Sequence, residues 1–69
     1  MASVARVTEI SAVSEQSFED AIKVGVQRAA ETLRGLKSAW VKEQEVQIGE
    51  NGGVSGYKVH LLVTFALES

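Results

Sequence analysis

Few side chains in this chain could carry chemistry. His60 is its one imidazole and Trp40 its one indole, and it has no Cys. A hydrolytic site needs a nucleophile, a base and an orienting carboxylate. His60 lies in the run GYKVHLLVTF with no nucleophile signature beside it, which suits a packed or interface histidine. The run GENGGVSG at positions 49–56 is rich in Gly, but it lacks the Lys-Ser/Thr of a phosphate-cradling loop and no helix pattern follows it, so it marks a turn. Glu43, Glu45 and Glu50 offer oxygen atoms to a hard cation. Strand alternation sets Glu43 and Glu45 on one face without a loop to wrap an ion, so a solvated or paired face is expected. Trp40 stands in SAWVKEQEVQI, among Lys42, Gln44 and Gln47, where a core strand would place aliphatics. Polar neighbours suit a ring that meets a ligand better than one at the centre of a dry contact. With no nucleophile paired to a base, the chain reads as a binding or structural protein and not an enzyme.

The elements that must position these residues follow from the hydrophobic period. Val4 to Ile10 is rich in β-branched residues and reads as a strand. Helix signals come next. Ser14 or Ser17 can cap the amino end, and Glu15, Glu19 and Asp20 suit the positive end of the helix dipole. Arg34 and Lys37 suit the other end, with Gly35 as the stop and Leu36 folding back onto the last turn. At about 100° per residue, Phe18, Ala21, Ile22, Gly25, Val26, Ala29, Leu33 and Leu36 share one face, which needs a sheet to cover it. The Asn51-Gly52 pair then turns one extended segment into another. The fold class is α+β, in the order β-α-β-β: a three-stranded antiparallel sheet packed on one helix, in a single domain spanning residues 1–69.

Size and composition bear on what such a domain does. A chain of 69 residues buries only about 60% of the surface it exposes when unfolded, so its own core is marginal. Without disulfides or a metal-binding cluster, self-association is the remaining means of stabilisation. The last strand points the same way. Tyr57, Val59, Leu61, Val63, Phe65 and Leu67 line one face, while His60, Leu62 and Ala66 make the other partly apolar. One helix shields one face, so another subunit is expected on the second. Seven basic and nine acidic side chains give a net charge of -2, without the basic stripe that nucleic acid binding requires. No apolar run approaches the ~20 residues that span a bilayer, and no secretory leader pattern opens the chain. A cytoplasmic protein with no nucleic acid or membrane partner is expected.

Three segments, AVSEQSFEDAI, TLRGLKSAWVKEQ and GYKVHLLVTFALE, resemble the signature regions of the dodecins. The most specific parts are Ser14 and Phe18 at the helix start, Thr32-Leu33-Arg34 at its exit, and the final Phe65-Ala66-Leu67-Glu68. The resemblance covers nearly the whole chain. It implies a hollow homododecamer that binds a flavin, riboflavin or FMN, without catalysing a reaction. A Trp on the second strand of flavin-binding members stacks on the isoalloxazine ring, and a Gln on the third hydrogen-bonds its polar edge. Aligned from the helix exit, the family Trp falls at Ser38, two residues before Trp40. Those two residues preserve the strand face and shift the ring by about 7 Å, unless a bulge after Gly35 restores its place. Lys58 stands at the Gln position, and Glu45 where many bacterial members carry an Arg that favours a flavin phosphate. The resemblance thus implies a flavin site of Trp40, Lys58, Ser38, Glu45 and Gln47. The alternative it leaves open is a flavin-free shell that holds cations or serves as a structural assembly.

Overall fold

The computed structural model describes residues 3–67, so the expected final Glu68 lies outside the described part. Strand β1 spans Ala5–Ser14, helix α1 Phe18–Thr32, strand β2 Leu36–Ile48 and strand β3 Val54–Ala66. The order along the sheet is β1-β3-β2, with both outer strands antiparallel to β3. The most apolar strand therefore takes the centre. β1 runs four residues beyond the expected end at Ile10, because β3 offers an unbroken ladder from Ala5 opposite Ala66 to Ser14 opposite Tyr57. Pairing there overrides the weak strand preference of Ser and Ala.

Ser17 is the cap of α1, and its hydroxyl accepts from the Asp20 N–H at 2.9 Å. Ser14 has a different task. Its hydroxyl donates to Asp20 Oδ2 at 2.6 Å and accepts from the Gln16 N–H at 2.9 Å, which ties the strand exit to the first helical turn. The far end of the helix differs from expectation. It stops at Thr32 with no basic residue in its last turn, and Leu33 is already extended, its N–H bonded to Ala29 O at 2.8 Å. Burying Leu33 and Leu36 against the sheet draws the chain out of the helix early. Gly35 (φ +73°) accordingly shapes the approach to β2, not a helical stop. Its carbonyl accepts from the Ala66 N–H at 2.9 Å, and a Cβ there would meet Ala66 O at 3.2 Å. The expected hairpin turn is present, with Gly52 at φ +85° and the Gly49 N–H bonded to Gly53 O at 2.8 Å.

The core consists of Ala21, Val59, Leu61 and Val63, all fully buried, with Ile10, Ala12, Phe18, Ile22, Val26 and Val41 packed around them. Phe18 meets Tyr57 edge to face, with ring centroids 5.2 Å apart. The helix approaches closely at Gly25, where a Cβ would lie 3.1 Å from Ala12 Cβ. The resulting plate measures 54 × 19 × 14 Å. Its radius of gyration is 14.3 Å, against about 11 Å for a compact chain of this length. No helix among the described residues is long and apolar enough to cross a membrane.

Candidate site on the open sheet face

Residues opposite one another in a ladder share a sheet face, so the register assigns every strand side chain to the helix side or the open side. On the open side β3 presents Lys58, His60, Leu62, Thr64 and Ala66, and β1 presents Ala5, Val7, Glu9, Ser11 and Val13. The sides taken in β2 depend on two irregularities. The ladder skips Lys37 between Leu36 and Ser38, and Lys42 between Val41 and Glu43. An extra residue reverses the alternation that follows it. Leu36, Ala39, Val41, Gln44 and Val46 consequently face the helix side, and Ser38, Trp40, Glu43, Glu45 and Gln47 the open side. Gln44, read from the sequence as a polar neighbour of Trp40, is on the opposite face.

All five residues of the expected site thus lie on one face, but they form two groups. Ser38 is opposite Thr64, and Trp40 is opposite Leu62 with 70% of its surface exposed. Glu45 is opposite Lys58 and Gln47 opposite Gly56, where a Cβ would lie only 2.8 Å from Gln47 Oε1. The step from Leu62 to Lys58 is four residues, about 13 Å, so Trp40 and Lys58 do not converge within one protomer. The bulge after Gly35 is present, and Trp40 remains two ladder positions from Ser38.

Between the groups lies a charged cluster that sequence reasoning missed. His60 Nε2 is 3.0 Å from Glu45 Oε1, and His60 Nδ1 is 4.0 Å from Glu9 Oε2. Lys42 Nζ lies 3.3 Å from Glu9 Oε1. The hydrogen bond from His60, aided by the charges of Lys58 and His60, holds the Glu45 carboxyl below its usual range against the opposing effect of desolvation. An ionised carboxylate only accepts, so His60 Nε2 carries the proton of that bond. Period-2 alternation already sets Glu9 on the face opposite Ile10 and Ala12. What it lacks is the partner strand, since Glu9 and Lys42 are 33 residues apart in the chain.

An apolar groove of about 470 Å³ between α1 and the edge of β1 is lined by Ile10, Ala12, Val24, Gly25, Ala29 and Leu33 among others. None of the expected site residues reaches it. No group of three or more His, Cys, Asp or Glu among the described residues is arranged to hold a metal ion. The open face therefore offers an exposed aromatic surface, a balanced set of charges and an apolar centre, which together can stack a flat ring and hydrogen-bond its edges.

Residues 4–68 match the family model for Dodecin. The chain is 43% identical over 68 residues to the dodecin of Thermus thermophilus, covering 99% of this chain and 97% of that one. Among solved structures, an arginine-to-alanine variant of the Thermus thermophilus dodecin superposes with a TM-score of 0.89 at 43% identity, over 99% of this chain and 98% of that one. The dodecin from Streptomyces davaonensis gives 0.90 at 31% identity over 97% of each chain. A calcium-chelating immunodominant antigen, calcium dodecin from Mycobacterium tuberculosis, whose structure has a novel calcium-binding site, gives 0.83 at 32% identity over 96% and 93%.

Proposed function

Since the chain belongs to the dodecin family, we propose that it is a non-catalytic flavin-binding protein, a store or buffer for riboflavin or FMN, that works as a homododecamer and stacks the flavin on Trp40. The observation that carries this reading is the indole itself, largely exposed on an open sheet face beside Leu62. An aromatic ring left in water by its own protomer is available to a flat ligand, and stacking of that kind contributes about 1 to 3 kcal/mol per ring by analogy with nucleic acid bases. Lys58, Gln47, Glu45 and Ser38 supply donors and acceptors to the polar edges of the ligand. Given the ~13 Å between Trp40 and Lys58 along the sheet, the Lys58 or Gln47 that meets the ring belongs to a neighbouring copy.

Assembly is supported by the shape of the protomer. Its core is small, its radius of gyration exceeds the compact value, and Val7, Val13 and Trp40 are exposed together on its open face. Exposed apolar surface on this scale marks an interaction face.

A second reading, a flavin-free shell that binds cations, draws on Glu9, Glu43 and Glu45 sharing the open face and on the calcium-chelating relative. It is the weaker reading, because Glu9 and Glu45 already answer Lys42 and His60. Titration of riboflavin with the purified protein separates the two. Quenching of flavin fluorescence that saturates is expected. No quenching, together with heat of binding on adding calcium chloride, would replace the flavin reading with the cation one.

A further inference from the structure

Resting on the proposed homo-oligomer but not on its ligand, we infer that the β2–β3 hairpin of one copy docks into the groove between α1 and β1 of the next, joining subunits head to tail. The hairpin is an arm that its own helix leaves bare. Phe18, the first residue of α1, meets Tyr57, and Tyr57 is opposite Val46. Beyond that row the two strands continue to the turn without a helix over them. Ile48 is opposite Val54, and the ladder skips Ser55 there, so Val46, Ile48 and Val54 all take the helix side. All three are exposed.

The groove is the matching concave part. Gly25 and Ala29 keep its helical wall low, and Val24 stands exposed beside them. It runs along β1, an edge strand whose ladder with β3 is regular, whereas the other edge strand, β2, is interrupted by bulges. An incoming strand can thus meet free backbone groups as well as apolar side chains. Arm and groove cannot meet within one protomer. Ile10 in the groove is opposite Leu61, seven residues or about 23 Å along β3 from Val54. Charge fits the same contact. Glu50 is exposed in the turn and forms no ion pair among the described residues, while Arg28 at the groove meets Glu31 at 3.8 Å with both side chains largely exposed. A seated hairpin brings Glu50 to Arg28. A contact between unlike surfaces repeats head to tail and stops growing by closing into a ring, as a closed assembly requires.

The chain has no Cys, so cross-linking can read the contact directly. Under mild oxidation, assembled protein carrying both Val24→Cys and Val54→Cys should give covalent species of two or more chains on non-reducing gels, and each single variant should remain one chain. A two-chain species from Val54→Cys alone means that hairpins meet tip to tip, and one from Val24→Cys alone that grooves meet. Either result, or no cross-link in the double variant, overturns the inference. Light scattering supplies the second measurement. Arg28→Glu and Glu50→Arg should each raise the concentration at which the oligomer dissociates by at least about tenfold, and their combination should restore it. A loss that the combination fails to restore removes the Arg28–Glu50 contact. A native protein that is already monomeric overturns the proposed assembly itself, whereas a native oligomer without the cross-link overturns the docking alone.

Discussion

Trp40 touches the question of function most directly, because its exposure separates folding from binding. Its protomer buries little of the ring, so Trp40→Ala should leave the melting temperature of the subunit fold nearly unchanged. If the ring stacks flavin, the same substitution should cost about 1 to 3 kcal/mol of riboflavin affinity in a fluorescence titration, with the oligomer intact by light scattering. Were the ring an interface anchor, the truncation would instead weaken assembly by about 2 kcal/mol or more, with or without flavin. Glu45 carries a second prediction, about acid. Its carboxyl is held below the ordinary range in the folded state, chiefly by the hydrogen bond from His60. A carboxyl with a lowered folded pKa contributes stability above its unfolded pKa and loses it as pH falls through the folded value. Melting temperature should therefore decline as the pH is lowered below about 4, and Glu45→Gln should flatten that decline. The same fall in both proteins would mean that the His60 contact contributes nothing to stability.

At the level of elements, the core depends on how closely α1 is held against the sheet. Gly25 permits the approach, with the position of a Cβ 3.1 Å from Ala12 Cβ and 3.3 Å from Leu61 Cδ1. Gly25→Leu should overpack this seam and cost roughly 1 to 3 kcal/mol in denaturant unfolding. Gly25→Ala should cost less, because the gain in helix propensity, up to about 1 kcal/mol, offsets a contact tightened by a few tenths of an ångström. Equal stability of Gly25→Leu and the native protein would mean that the helix can lift from the sheet freely. The two bulges of β2 decide which of its side chains reach each face. They keep Leu36, Ala39, Val41 and Val46 on the helix side while Trp40, Glu43 and Glu45 remain on the open side.

For the whole molecule, the thin plate with one covered face explains why assembly and function belong together. Leu62 is the apolar centre of the open face, between Trp40 on β2 and Glu9 on β1. If the proposed assembly covers that face with other copies, Leu62→Asp introduces an unpaired charge into a contact between subunits. Light scattering should then report dissociation from about twelve subunits to smaller species. Unchanged particle size would mean that Leu62 faces solvent in the assembly and that another surface, such as the groove between α1 and β1, joins the subunits.

The amino-acid sequence by itself determined what local physics can encode: the β-α-β-β order, Ser17 among the candidate caps, the turn at Asn51-Gly52, and the alternation that buries Val59, Leu61 and Val63. Each rests on a period, a cap or a glycine conformation that needs only neighbouring residues. Tertiary structure alone decided that the helix ends at Thr32, that β3 is central, and that Glu9, Lys42, Glu45 and His60 meet. Those outcomes are set by pairing between segments far apart in the chain. Register on β3 decides which side chains share the open face, and nothing within β2 by itself could say that Gln44 turns to the helix side while Trp40 and Glu45 stay together on the open side.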